Sequence, residues 1–67
     1  MWEAHIGLAD EMAATGDFSA AEHEYAQVIQ LQPAISAAHL RRGEMLEKLG
    51  RNAEALREFE EADRLQR

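Results

Sequence analysis

Residues Gly16–Pro33, GDFSAAEHEYAQVIQLQP, decide the fold. They read as a tight turn, an amphipathic helix and a proline stop. Gly16 supplies the positive φ that ends a preceding helix, and Asp17 or Ser19 is placed to cap the next one. Ser19-x-x-Glu22 also has the spacing of a capping box. Ala21, Tyr25, Val28, Ile29 and Leu31 lay small and apolar side chains mainly along one helical stripe. Pro33 then disfavours further helix at Gln32. Thirty-four residues on, the same grammar returns, with Gly50 for Gly16, Ala55 for Ala21, Phe59 for Tyr25 and Leu65 for Leu31.

Outward from that stretch, four helices are expected. Trp2–Thr15 carries Trp2, Ile6, Leu8, Ala9, Met12 and Ala13 at helical spacing. Gly7 inside it costs roughly 1 kcal/mol relative to alanine, and close packing at that point would be one compensation. The second helix spans Phe18–Leu31. Ser36 is the expected N-cap of a third over Ala37–Leu49, and Asn52 that of a fourth from Ala53 to near Gln66. Short loops imply antiparallel neighbours. Comparing residue i with i+34 gives seven identities over 33 pairs: Ala4/Ala38, His5/His39, Gly16/Gly50, Ala21/Ala55, Glu24/Glu58, Leu31/Leu65 and Gln32/Gln66. Ala21-x-x-x-Tyr25 and Ala55-x-x-x-Phe59 each set a small residue one turn before an aromatic, which lets two helices approach closely and fills the gap beside the contact.

With 67 residues the chain makes one small domain whose single core is marginal. It has no cysteine, so disulfides and thiolate metal sites are out. A composition 46% hydrophobic and 30% charged suits a folded helical protein and is too apolar for a disordered one. Neither a transmembrane span nor a signal peptide is evident, and the default location is cytoplasmic. A net charge of −6 argues against binding a phosphate backbone.

On these residues the chain resembles the tetratricopeptide repeat family, whose unit is a 34-residue helix–turn–helix. The resemblance covers essentially the whole chain as a single domain, residues 1–67, with unit one at 2–35 and unit two at 36–67. It implies an all-α fold of two stacked helix–turn–helix units, a fragment of an α-solenoid. In the family's pattern Leu8-Ala9 and Arg42-Gly43 fall on the large-then-small pair of the first helix, and Met12 and Leu46 on its next core position. Ala21 and Ala55 take the small position of the second helix, Tyr25 and Phe59 its aromatic one, and Pro33 is the closing proline. His5 and His39 stand where the family has tryptophan or a large aliphatic residue. Arg42 replaces a leucine, Asn52 a loop aromatic, and Arg67 the second proline.

Catalytic and metal chemistry find no support in the residue pattern. Glu-x-x-His is absent, because Trp2, Ala20 and Ser36 precede His5, His23 and His39 by three. His5 and His39 lie about one repeat apart, and each is expected at an inter-helix seam. Ser19 and Ser36 are cap candidates rather than nucleophiles, and the four glycines are isolated. No catalytic residue, metal site or cofactor is expected. DNA recognition is disfavoured too. The second helix has no lysine or arginine, and carboxylates outnumber Arg57 and Arg64 on the fourth. Arg57–Glu61 and Glu60–Arg64 are the expected i,i+4 pairs there.

The resemblance implies a non-enzymatic interaction module that holds a peptide or partner helix on a concave face. The matching groove positions are Glu3, Ile6, Asp10 and Ala13 in unit one, and Ala37, Leu40, Arg41, Glu44, Glu47 and Lys48 in unit two. Members that bind chaperone tails clamp a terminal carboxylate with a lysine and an asparagine. Ile6 and Asp10 stand at those positions, so that specificity is expected to be missing. Glu3, Asp10, Glu44 and Glu47, against Arg41 and Lys48 at the edge, either select basic or amphipathic basic peptides or only keep a small helical surface soluble. The alternative is a structural or self-assembling fragment, excised from a longer array or engineered. Two repeats fall below the three usually needed. Trp2, Leu56, Phe59 and Leu65 are then expected to mediate a homodimer or larger assembly.

Overall fold

The computed structural model describes residues 2–67, with side chains from Ala4 onward. Four helices follow one another: α1 (Trp2–Ala14), α2 (Phe18–Leu31), α3 (Ser36–Lys48) and α4 (Asn52–Gln66). No strand occurs among the described residues. Packing is serial, α1 on α2, α2 on α3 and α3 on α4. The result is a flat body of 31 × 29 × 15 Å.

The two glycine turns repeat in atomic detail. Gly16 has φ 89° and Gly50 φ 81°, both in the left-handed region where a Cβ is strained. Around the first, Gly16 N–H donates to Ala13 O (3.0 Å) and Asp17 N–H to Met12 O (2.9 Å). Around the second, Gly50 N–H donates to Glu47 O (3.0 Å) and Arg51 N–H to Leu46 O (2.8 Å). This paired pattern satisfies the last carbonyls of a helix and turns the chain back on itself.

The helix starts are less uniform. Asp17 caps α2, its Oδ1 accepting from Ala20 N–H at 3.3 Å. Ser19 therefore lies inside the helix, and no capping box forms, because Glu22 turns toward Arg42 and Arg51. Ser36 and Asn52 are also corrected: each is the first helical residue rather than the cap. Ile35 and Arg51 precede those helices without a side-chain cap, their carbonyls accepting from Ala38 N–H (3.1 Å) and Ala55 N–H (3.0 Å). The α1 helix stops at Ala14, one residue before the expected Thr15.

The core is assembled from all four helices. Ala9, Ala21, Tyr25 and Met45 form its centre, with Ile6, Met12, Ala13 and Phe18 packed around them. Val28, Ala38, Leu46, Ala55 and Ala62 are also buried. Helices α3 and α4 approach so closely that a Cβ at Gly43 would lie 2.7 Å from the Phe59 ring and 3.2 Å from Ala55 O. The small/aromatic pair Ala55/Phe59 is thus seated against a residue with no side chain. Gly7 differs. A Cβ there would meet nothing within 4 Å, so close packing is absent and its helical cost is uncompensated.

A buried polar network ties α2, α3 and α4 together. Glu22, 5% exposed, accepts from Arg42 Nε at 2.8 Å. Arg42 Nη1 donates to Glu58 at 2.6 Å. The ring of buried His39 lies with Nδ1 2.6 Å from Glu58 Oε1 and Nε2 2.8 Å from Pro33 O. Burial disfavours the Arg42 charge, but Glu22 and Glu58 outweigh it and hold the guanidinium pKa above its ordinary value. No buried polar side-chain atom lacks a partner among the described residues. The expected α4 pairs do not form. Arg64 instead turns its fork back on Glu61 at i,i+3, where Nε and Nη2 engage both carboxylate oxygens.

Candidate functional site

The expected groove positions are contributed by α1 and α3, both first helices of their units. Ile6, Asp10 and Ala13 on α1 are half-buried, the two apolar ones against the core. On α3, Ala37, Leu40, Glu44, Glu47 and Lys48 are exposed and Arg41 is half-buried. The Glu3 side chain lies outside the described ones. Leu40, 40% exposed, is the largest apolar group on the α3 part of the set.

The structure joins the two units at Asp10. Its Oδ2 accepts from Arg41 Nη1 at 2.6 Å, and its Oδ1 accepts from the Tyr25 hydroxyl. Arg41 therefore sits at the seam between units, not at the edge. Burial pushes the Asp10 carboxyl up, but the hydrogen bonds from Tyr25 and Arg41, with the Arg41 charge, outweigh it and leave its pKa below the ordinary value. Burial, reinforced by the adjacent Asp10 carboxylate, pushes the Tyr25 phenol up to about 12. Asp10 is thus already paired with an arginine, and among the described side chains of the groove set the unpaired carboxylates are Glu44 and Glu47. Lys48 Nζ lies 5.3 Å from the centroid of the Phe18 ring, a cation–π distance that anchors it to the α2 start.

Other features lie elsewhere. An open depression of about 480 Å³ runs beside the α1–α2 turn, lined by Met12, Asp17, Ala20, His23, Glu24 and others, and shares no residue with the groove set. No group of three or more acidic or histidine side chains among the described residues is arranged to hold a metal ion. No described helix is long and apolar enough to cross a membrane.

Of the residues expected to self-associate, Leu56 is 58% exposed while Phe59 and Leu65 are half-buried. The Trp2 side chain lies outside the described ones. Leu8, 44% exposed, is an apolar group that sequence reasoning passed over as a core position. It also passed over Tyr25 as a hydroxyl donor. The His5–Glu24 pair (3.2 Å) and the His39–Glu58 pair (2.6 Å) are one interaction repeated, and a signal for it existed, since both members recur at i+34.

Residues 6–66 match the sequence profile of the tetratricopeptide repeat. The chain belongs to the tetratricopeptide repeat family. No curated protein matches it. Tetratricopeptide repeats generally mediate protein–protein interaction.

Proposed function

We propose that this tetratricopeptide repeat chain is a non-enzymatic, cytoplasmic interaction module that holds an amphipathic, basic peptide or helix on the face formed by α1 and α3. The observation that carries the reading is Leu40, exposed beside the Asp10–Arg41 seam and followed one and two turns later by Glu44 and Glu47. An apolar contact flanked by carboxylates suits a helix with one apolar and one basic side. The net charge of −6 also favours a basic partner. Fluorescence anisotropy with a basic amphipathic peptide and its acidic counterpart tests this. The basic peptide should bind more tightly, lose affinity with added salt, and lose it again with Leu40→Glu or Glu44→Lys. Equal binding of the two peptides, or none of either, refutes the reading.

A second reading, self-association, is favoured by the exposure of Leu56 on α4. It uses a different surface from the α1/α3 face, so the two readings are compatible.

A further inference from the structure

We propose that α4 of one copy receives α1 of a second copy, head to tail, with Leu8 seated against Leu56. This rests on the self-association reading and gives it a geometry. The template is the α2–α3 junction inside the chain. There Glu22 of α2 meets Arg42 of α3 at 2.8 Å, and Tyr25 of α2 and Arg41 of α3 both bond the Asp10 carboxylate. Moved by one repeat, the α2 side that receives α3 becomes the outward side of α4, and α3 becomes α1.

Two of the moved pairs have changed in matching ways on both sides. Leu56 stands for Glu22 and Leu8 for Arg42, so a pair of opposite charges becomes a pair of leucines. Phe59 stands for Tyr25 and Gly7 for Arg41, so hydroxyl and guanidinium disappear together. Within one chain α1 and α4 do not pack on each other, yet their two faces carry this correspondence. The exposures agree: Glu22 is 5% exposed under α3, whereas Leu56 is 58% and Leu8 44% exposed with nothing over them among the described residues.

The junction is smaller and more acidic than its template. Asp63 takes the place of Ile29 and Glu11 that of Met45. With a net charge of −6 on each copy, association therefore strengthens as salt screens the repulsion, the reverse of the basic-peptide contact. Because the two faces differ, the contact does not close on itself, and copies add at either end.

Sedimentation equilibrium at raised salt, from micromolar to millimolar chain, tests the proposal with Leu8→Glu and Leu56→Glu. Both sites are exposed, so far-UV circular dichroism should be unchanged. Wild type should grow with concentration, and each variant alone should stay at the 7.6 kDa of one chain. An equimolar mixture should form a 1:1 pair that grows no further, because each variant keeps the one face the other lacks. As a second measurement, Leu8→Cys mixed with Leu56→Cys should oxidise to the mixed disulfide in preference to either homodimer, the chain having no other cysteine. If Leu8→Glu still associates while Leu56→Glu does not, a symmetric α4–α4 contact replaces the head-to-tail one, and self-association stands without this geometry. Association of both variants alone also overturns it. A wild type that stays monomeric throughout overturns self-association itself.

Discussion

Gly7→Ala and Gly43→Ala are the same chemical change in two helices of one small fold, and the structure separates their effects. Alanine is favoured over glycine in a helix interior by about 1 kcal/mol. At Gly7 the new methyl meets nothing within 4 Å, so the whole gain is kept. At Gly43 the methyl arrives 2.7 and 2.9 Å from two atoms of the Phe59 ring and 3.2 Å from Ala55 O. Overpacking of this kind costs about 1–3 kcal/mol, so Gly43→Ala should be neutral to about 2 kcal/mol destabilising. Phe59 is a half-buried side chain that can shift by rotation, whereas the Ala55 carbonyl belongs to the α4 backbone. In a domain of this size 1 kcal/mol shifts Tm by about 4–8 °C. Gly7→Ala should thus raise Tm by roughly that amount and Gly43→Ala should leave it unchanged or lower it. Thermal melts followed by far-UV circular dichroism at one fixed concentration separate the two. Phe59→Leu in the Gly43→Ala background should recover part of any loss. A Gly43→Ala melt raised as much as that of Gly7→Ala would show that α3 and α4 are not in close contact at Gly43.

Two further outcomes follow from the polar contacts. Tyr25, with its pKa raised from 10.0 to about 12, contributes stability that is full below pH 10 and is lost as pH rises through 12. Asp10 has the opposite sign. Its contribution is present above its ordinary pKa of 3.8 and is lost as pH falls through the lowered value. Melts against pH should therefore fall more gently for Tyr25→Phe than for wild type on the alkaline side, and for Asp10→Asn on the acid side; parallel curves would contradict the Tyr25–Asp10–Arg41 contact. Arg42→Leu should cost about 2–3 kcal/mol in urea titration. That is somewhat less than the loss from a fully buried pair, because Arg51 Nη1, 3.6 Å away, still faces the stranded Glu22. Glu22→Leu with Arg42→Leu should recover most of it, and a single variant as harmless as the double one would remove the network from the core.

The helices and their order were legible because glycine, proline and apolar spacing act locally. Gly16 and Gly50 mark the two turns whose hydrogen bonds prove identical. Ser36 and Asn52 were misread because cap propensity cannot say whether a polar residue stands just before or just inside a helix; the chain path at Ile35 and Arg51 decides that. Gly43 falls on the small position of the repeat and Gly7 does not, but only the neighbouring helix shows that the first is a contact and the second an open site. The Glu22–Arg42–Glu58 network joins residues 16 and 20 apart through three helices, so no single-helix pattern contains it. At the groove, the expected acidic cluster was read residue by residue, and the pairing of Asp10 with Arg41, 31 residues away, was invisible for the same reason.

The Glu22–Arg42 pair also settles which neighbour each helix will tolerate. Repeat proteins are prone to misassembly in which one unit docks out of step. In a slip that set α1 against α2 in place of α3, Leu8 would be brought to Glu22, and a buried carboxylate would lose its counter-charge. In the converse slip Arg42 would be pressed on Leu56. The first costs several kcal/mol, a large part of what so small a domain has in total; in the second Arg42 keeps Glu58 at 2.6 Å and loses only Glu22. The ion pair works as a key between units: it adds little over a leucine pair when the order is right, and it expels the wrong order.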